Sequence, residues 1–238
     1  MAITRAIVLS TDIFGEADRY IQVLTRDWGV VTLLAKSARK SRRRYAGGLD
    51  IFCHNEINVR GDIPRRAYLV DLTVINAFSK IRDDLEKILF AGKLLQWIRS
   101  LANVNTPIQQ VYSLLGQTLA LIENQTDATR LELLGLVFRL KLLSYLGFHP
   151  RTETCALCSG TLDASLFDLG AGGIICTTCK PTSNHWELHP EEVHVMTHAK
   201  DIRLTRFDEV VVTEPVTQRL LYLVTQFTAY HTHAKVPM

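Results

Sequence analysis

The stretch FCHNEINV, residues 52–59, decides how the first third of the chain is read. Phe52, His54, Glu56 and Asn58 alternate with Cys53, Asn55, Ile57 and Val59. A period of two is the mark of a half-buried strand. Working outward, four more short runs rich in Val, Ile, Leu, Thr and Tyr share that character: ITRAIVLS (3–10), RYIQVLT (19–25), VVTLLAKS (30–37) and AYLVDLTV (67–74). TRDWG (25–29) reads as a hairpin turn with Gly29 free to take positive φ. Five strands within 80 residues, with no helix between them, predict a small closed barrel. The OB-fold leads, because it is a five-stranded barrel of about this size.

After Ser79 the period becomes helical. IRDDLEKILFAGKLLQWIRSLA places Leu85, Ile88, Leu89, Leu95 and Ile98 on one stripe, with Asp83, Asp84 and Glu86 in the first turn. TPIQQVYSLLGQTLALIE opens with Thr106 as N-cap and Pro107 at the first helical position. TDATRLELLGLVFRLKLLSYLGFHP is apolar almost all round from Leu131 to Leu146, which predicts a buried central helix closed by Gly147 and Pro150. A short helix opened by Pro190 follows the cysteine segment, and a longer one starts near Thr213 and Pro215. The fold class is therefore α+β and multidomain. It comprises an OB-fold barrel at 1–80, a helical domain at 81–150, a four-cysteine zinc-finger-like module inserted at 151–182, and the rest of the helical domain at 183–238.

The chain has 238 residues, 47% apolar and 21% charged, as an ordinary soluble globular protein does. No apolar run reaches the roughly 18 residues of a membrane span. The first residues lack a cleavage signal, so a cytoplasmic location is expected. The net charge of +3 is uneven: residues 1–80 hold 13 Lys+Arg against 8 Asp+Glu, and residues 81–238 hold 14 against 16. The basic excess points the N-terminal third toward a polyanion.

Four of the five cysteines form the pattern C-x2-C-x17-C-x2-C: Cys155, Cys158, Cys176 and Cys179. Thiolates are soft ligands, and two close pairs on turns supply a tetrahedron, so one structural Zn²⁺ is expected. Gly170, Gly172 and Gly173 suit a tight hairpin that brings the second pair over the first. Four thiolates would close the coordination shell and leave no place for substrate. Cys53, in a strand, reads as a core residue. His185/His189 and His194/His198 lack the Glu of a zinc protease and read as surface or capping residues. AGKLL (91–95) lacks the remainder of a phosphate-binding loop, and no catalytic motif appears, so the chain reads as a non-enzyme.

The other concentrated feature is AKSARKSRRRYAGG, residues 35–48, where Lys36, Arg39, Lys40, Arg42, Arg43 and Arg44 fall within nine residues. Its bland alternative is a solvated loop. On an OB barrel it reads as a DNA-binding face, because each cation that neutralises a phosphate releases counterions. Single strands also need aromatics on which bases stack. Tyr45, beside the run, is the first choice. Tyr20, Phe14, Trp28 and Phe52 read better as core, and Arg65 and Arg66 extend the patch.

Taken in order, these parts resemble the RecO family of bacterial recombination mediators. The resemblance runs along nearly the whole chain. It includes GEAD at 15–18, the T-x-x-x-G turn at 25–29, the AKGAR-K run followed by GG-L-x-x-F, KLLSYLGFHPRTETCALCS, and GGIICTTC. One departure is Ser37 in the glycine position of AKGAR. The resemblance implies binding of single- and double-stranded DNA and ATP-independent annealing. It also implies RecA loading with RecR, recognition of the C-terminal tail of single-strand-binding protein (SSB), and a location at the bacterial nucleoid. Other classes compatible with the residues are an RNA-binding OB protein with a zinc ribbon, or a non-catalytic zinc-containing scaffold.

Overall fold

The computed structural model describes residues 1–40, 44–63, 66–102 and 109–237, with Arg66 described by its backbone alone. The chain divides into two compact units, Met1–Asn124 and Gln125–Met238. In the first, β1 (Ala2–Phe14), β2 (Asp18–Thr25), β3 (Gly29–Ala35), β4 (His54–Asp62) and β5 (Arg66–Asn76) close a barrel in the order β1-β2-β3-β5-β4. β1 pairs antiparallel with both β2 and β4, and β3 pairs parallel with β5. This is the expected OB-type closure.

The alternation read in β4 is present: Cys53, Asn55, Ile57 and Val59 are buried, whereas Glu56 and Arg60 are exposed. The strand starts at His54 rather than Phe52, because Phe52 turns to a left-handed φ of 74°. Its N–H donates to the Val8 carbonyl, and the Val8 N–H donates to the Cys53 carbonyl, both at 3.0 Å. Gly29 takes φ 69° at the β2–β3 turn, where the Thr25 hydroxyl donates to its carbonyl and accepts from Trp28 N–H.

Helices α1 (Ser79–Arg82), α2 (Leu85–Leu101) and α3 (Gln109–Asn124) complete this unit. The Asp84 carboxylate caps α2 by accepting from the N–H groups of Glu86 and Lys87. Arg99 Nε donates to Gln22 Oε1 at 2.7 Å, tying α2 to β2, and His54 Nε2 lies 2.6 Å from Tyr112 Oη, tying α3 to β4. The buried stripe of α2 keeps Leu95 and Ile98 of the expected one and departs from it toward the N-terminal end. Ala91, Leu94, Leu95, Trp97 and Ile98 are buried, whereas Leu85 and Leu89 are 68% and 59% exposed. The expected cap at Thr106 and Pro107 lies outside the described residues.

The second unit is built on α4 (Ala128–Tyr145), capped by Asp127 and buried continuously from Leu133 to Leu143. Two cations interrupt its apolar surface, and each finds partners. Lys141 Nζ donates to the carbonyls of Lys200 and Ile202, and Arg139 donates to Thr225 Oγ1. Burial lowers the Lys141 ammonium and brings Arg139 down to about 10. α6 (Glu214–Thr232) packs along α4. Between them in sequence lie a small sheet and α5 (Pro190–His198). The sheet has the order β7-β6-β8: β6 (Leu166–Asp168), β7 (Gly173–Ile175) and β8 (His185–Glu187). No helix among the described residues is long and apolar enough to cross a membrane.

Candidate nucleic-acid interface and metal centre

The cationic run leaves the barrel after β3 and returns before β4. Its first half is fastened to the β1–β2 turn. The Ser37 N–H donates to Asp18 Oδ1 at 2.7 Å, the Arg39 N–H to the Ala17 carbonyl at 2.9 Å, and Arg39 Nη1 to the Glu16 carbonyl at 3.1 Å. The GEAD and AKSAR stretches, about twenty residues apart, are thus one structure. Ser37 sits at φ 57°, which explains why glycine suits this position.

Lys36, Arg39, Lys40 and Arg44 are all exposed. No described carboxylate lies within ion-pair distance of Lys36, Arg39 or Lys40. The structure brings Lys36 and Arg44 to one cleft of about 390 Å³ with Arg60 and Tyr68. Arg42, Arg43 and Arg65 lie outside the described residues, and Arg66 opens β5 opposite Asp62.

Tyr45 departs from its expected place. Its ring is 2% exposed and belongs to the barrel core, with its hydroxyl donating toward the carbonyls of Lys36 and Leu69 at 3.2 and 3.3 Å. Burial raises its phenol above the ordinary value. A tyrosine beside six cations looks like a stacking ring. Here it props the base of the loop instead, because its hydroxyl can satisfy carbonyls while its ring fills the barrel end.

Phe14 and Tyr20 depart the other way: expected in the core, they stand exposed on the barrel with Tyr68. The Phe14 and Tyr20 ring centroids are 4.7 Å apart, and Lys36 Nζ lies 4.6 Å over the Tyr68 ring. Phe14 and Tyr20 fall at the turn end of the β1–β2 hairpin, where they cover each other rather than the barrel interior. Phe52 and Cys53 are fully buried, as core residues, and Trp28 packs half-buried against the barrel core. Tyr68 and Arg60 were missed in the sequence. Their signal was the outward register of β5 and β4.

The four cysteines of the second unit converge. Their sulfurs all lie within 4.8 Å of one another, with Cys155 and Cys179 at 3.8 Å and Cys158 and Cys176 at 3.7 Å. Sulfurs held about 2.3 Å from a tetrahedral centre stand about 3.8 Å apart, so the set fits a metal ion. The distances are far beyond a disulfide bond. The 169–172 turn brings β7 back along β6 and delivers Cys176. Cys176 N–H donates to Cys155 Sγ at 3.4 Å.

The Cys158 N–H and other turn amides pull the Cys155 thiol down to about 6. Hydrogen bonding to Cys176 and burial push Cys179 up to about 12. Four thiolates this close need a cation to ionise together. Among the described residues this cluster is the group that could hold a metal. The histidines stand apart from it: His194 and His198 stack at 4.3 Å on the exposed face of α5, and His189 caps that helix.

A closed OB-type barrel with a cationic loop, joined to a helical unit that carries a four-thiolate cluster, defines a class of barrel-and-helix proteins with a site fit for a metal ion. Residues 1–76 match the family model "Recombination protein O N terminal" and residues 82–237 match "Recombination protein O C terminal". Among similar proteins, the DNA repair protein RecO of Myxococcus xanthus is 33% identical over 179 residues, 73% of this chain and 70% of that protein. The protein of the same name in Syntrophus aciditrophicus is 30% identical, covering 75% and 70%, and that in Dehalococcoides mccartyi is 29% identical, covering 83% and 78%. The chain belongs to the RecO family.

Proposed function

We propose that the protein is a DNA repair and recombination mediator that binds single- and double-stranded DNA and anneals complementary strands without ATP. The observation that carries this reading is the exposed cationic loop fastened to the end of a closed OB-type barrel. In this reading 1–80 is the DNA-binding domain, and the loop residues Lys36, Arg39, Lys40, Arg42, Arg43 and Arg44, with Arg65 and Arg66, form its phosphate-binding face.

The mechanism is charge neutralisation. Two strands repel through their phosphates, and cations that replace condensed counterions bring both strands to one surface at little electrostatic cost. Base pairing then supplies specificity, and no nucleotide hydrolysis is required. With RecR, the protein would help load RecA on SSB-coated DNA in the bacterial cytoplasm, recognising the tail of the coat protein.

The ion of the four-cysteine cluster is zinc in this reading. When bound it neutralises the thiolates and closes a tetrahedron with no open position, a structural rather than catalytic role. Cys155, Cys158, Cys176 and Cys179 would hold it, and the 151–182 module would depend on it for its shape.

The test is annealing of two complementary oligonucleotides without ATP, comparing the wild type with an Arg42→Ala, Arg43→Ala, Arg44→Ala variant. Annealing by the wild type and its loss in a folded variant support the reading. Equal annealing by both makes the loop a solvated one.

A further inference from the structure

Strand register places four side chains in a row across the outside of the barrel. Tyr20 of β2 stands opposite Leu34 of β3, Leu34 opposite Tyr68 of β5, and Tyr68 opposite Arg60 of β4. The flanking residues Ile21, Leu33, Ala67, Leu69 and Val59 are buried, so by the alternation of a strand the row points outward. Tyr20 and Tyr68 are 38% and 37% exposed, and two strand spacings separate them, about 10 Å. Phe14 extends the row, its ring packed against Tyr20 and 49% exposed. Exposed aromatic rings on a barrel wall lose favourable burial, and nothing in their own strands requires them there.

Cations crowd the Tyr68 end of the row, while Asp12 of β1 stands opposite Tyr20 at the other end. Arg60 ends it, Lys36 overhangs Tyr68, and Arg44 lines the same cleft. Alternating π-faces and cations match a chain that carries bases on one side and phosphates on the other. A duplex hides its base faces and offers only the second half of that match.

We propose that this row is a stacking platform for single-stranded DNA, with bases on Tyr20 and Tyr68 and the backbone running past Lys36, Arg44 and Arg60. The proposal rests on the DNA-binding reading above and divides its labour. The loop cations serve any phosphate backbone, and the tyrosine row distinguishes single strands from duplex. A phosphate that draws Lys36 off the Tyr68 ring frees that face for a base, which couples the two.

The experiment is binding of labelled oligo(dT) and of a duplex by fluorescence anisotropy over a range of salt. A Tyr20→Ala, Tyr68→Ala variant should bind oligo(dT) about tenfold or more weakly, since a lost stack costs at least a large part of that factor. Its salt slope and its duplex affinity should match the wild type, and the Tyr20→Phe, Tyr68→Phe variant should keep oligo(dT) binding. As a second probe that removes no ring, the Tyr68→Trp protein should show added indole quenching with oligo(dT) and none with inorganic polyphosphate. Unchanged oligo(dT) affinity, an equal loss for duplex, quenching by polyphosphate, or tighter binding of oligo(U) than of oligo(dT) overturns the proposal. If the loop variant loses binding while the tyrosine variant does not, the platform alone fails. If the wild type binds no DNA, both fail.

Discussion

The carbonyl oxygen of Arg151 occupies the space beside Gly173 that a side chain would need: a Cβ built on Gly173 would overlap it. The approach is held by hydrogen bonds on both sides. Arg151 N–H donates to the Gly172 carbonyl at 3.0 Å, and Ile174 N–H donates to the Arg151 carbonyl at 2.8 Å. Ala156 N–H adds a bond to the Ile174 carbonyl at 2.8 Å. The segment before the first cysteine pair is thereby laid along the strand before the second.

Gly173→Ala should therefore separate the two pairs. A methyl against backbone cannot be relieved by a rotamer change, and a cost of about 3 kcal/mol or more is expected. Metal content measured on the purified variant should fall, and thermal unfolding should shift down. Full metal loading with an unchanged melting temperature would contradict the close approach.

Asp168 is fully buried on β6, and its carboxylate gathers the 169–172 turn and the 182–183 segment. It accepts from the N–H groups of Ala171, Thr182 and Ser183 and from the Thr182 hydroxyl. Burial alone would raise its pKa; these donors outweigh it and hold the carboxyl below the ordinary value. Its contribution is thus present above the unfolded carboxylate pKa of about 3.9 and is lost as pH falls through the lower folded value. Asp168→Asn should cost about 2–3 kcal/mol at neutral pH by denaturant titration. The gap from the wild type should narrow below about pH 4.

Ser37→Gly should stabilise the barrel unit. An L-residue at φ 57° bears a steric cost that glycine does not, offset in part by the entropy glycine loses on folding. A gain of about 0.5 kcal/mol is expected in denaturant titration, with DNA affinity unchanged because no cation moves. A loss of stability would place the entropy glycine loses on folding above the backbone cost, since the Ser37 N–H bond to Asp18 is kept by glycine.

Removing a metal held by the four cysteines should act on one unit. Chelation, or Cys155→Ser, should lower the stability of the 125–238 unit, because the binding energy of a four-thiolate site is largely folding energy. The barrel unit has its own core of Ile21, Val23, Leu33, Ile57 and Leu69. Hydrogen exchange should show new opening in the cysteine segment and preserved protection in β1 to β5. Equal loss in both units would contradict this division.

Much of this architecture was legible in local sequence. The period-two alternation from Cys53 to Val59, the cysteine spacing and the glycines of the β6–β7 turn each act within a few residues, and each predicts what is found. The exceptions depend on distant partners. Leu85 and Leu89 fit a helical stripe, but the face of α2 that is buried is the one carrying Ala91, Leu94 and Ile98. Tyr45 has cationic neighbours in sequence and the barrel core as its neighbour in space. The Tyr20–Leu34–Tyr68–Arg60 row spans four strands and can be read only once their register is known.

The most direct test of the cationic loop as the DNA face is the salt dependence of DNA binding. The wild type should be compared with Lys40→Ala, Arg42→Ala, Arg43→Ala, Arg44→Ala in one protein. Each phosphate contact contributes about −0.9 to the slope of log K against log salt on duplex. The variant should bind more weakly at low salt with a slope shallower by about 2–4, in proportion to the contacts removed. A folded variant with the wild-type slope and affinity would contradict the assignment and move the DNA face off this loop.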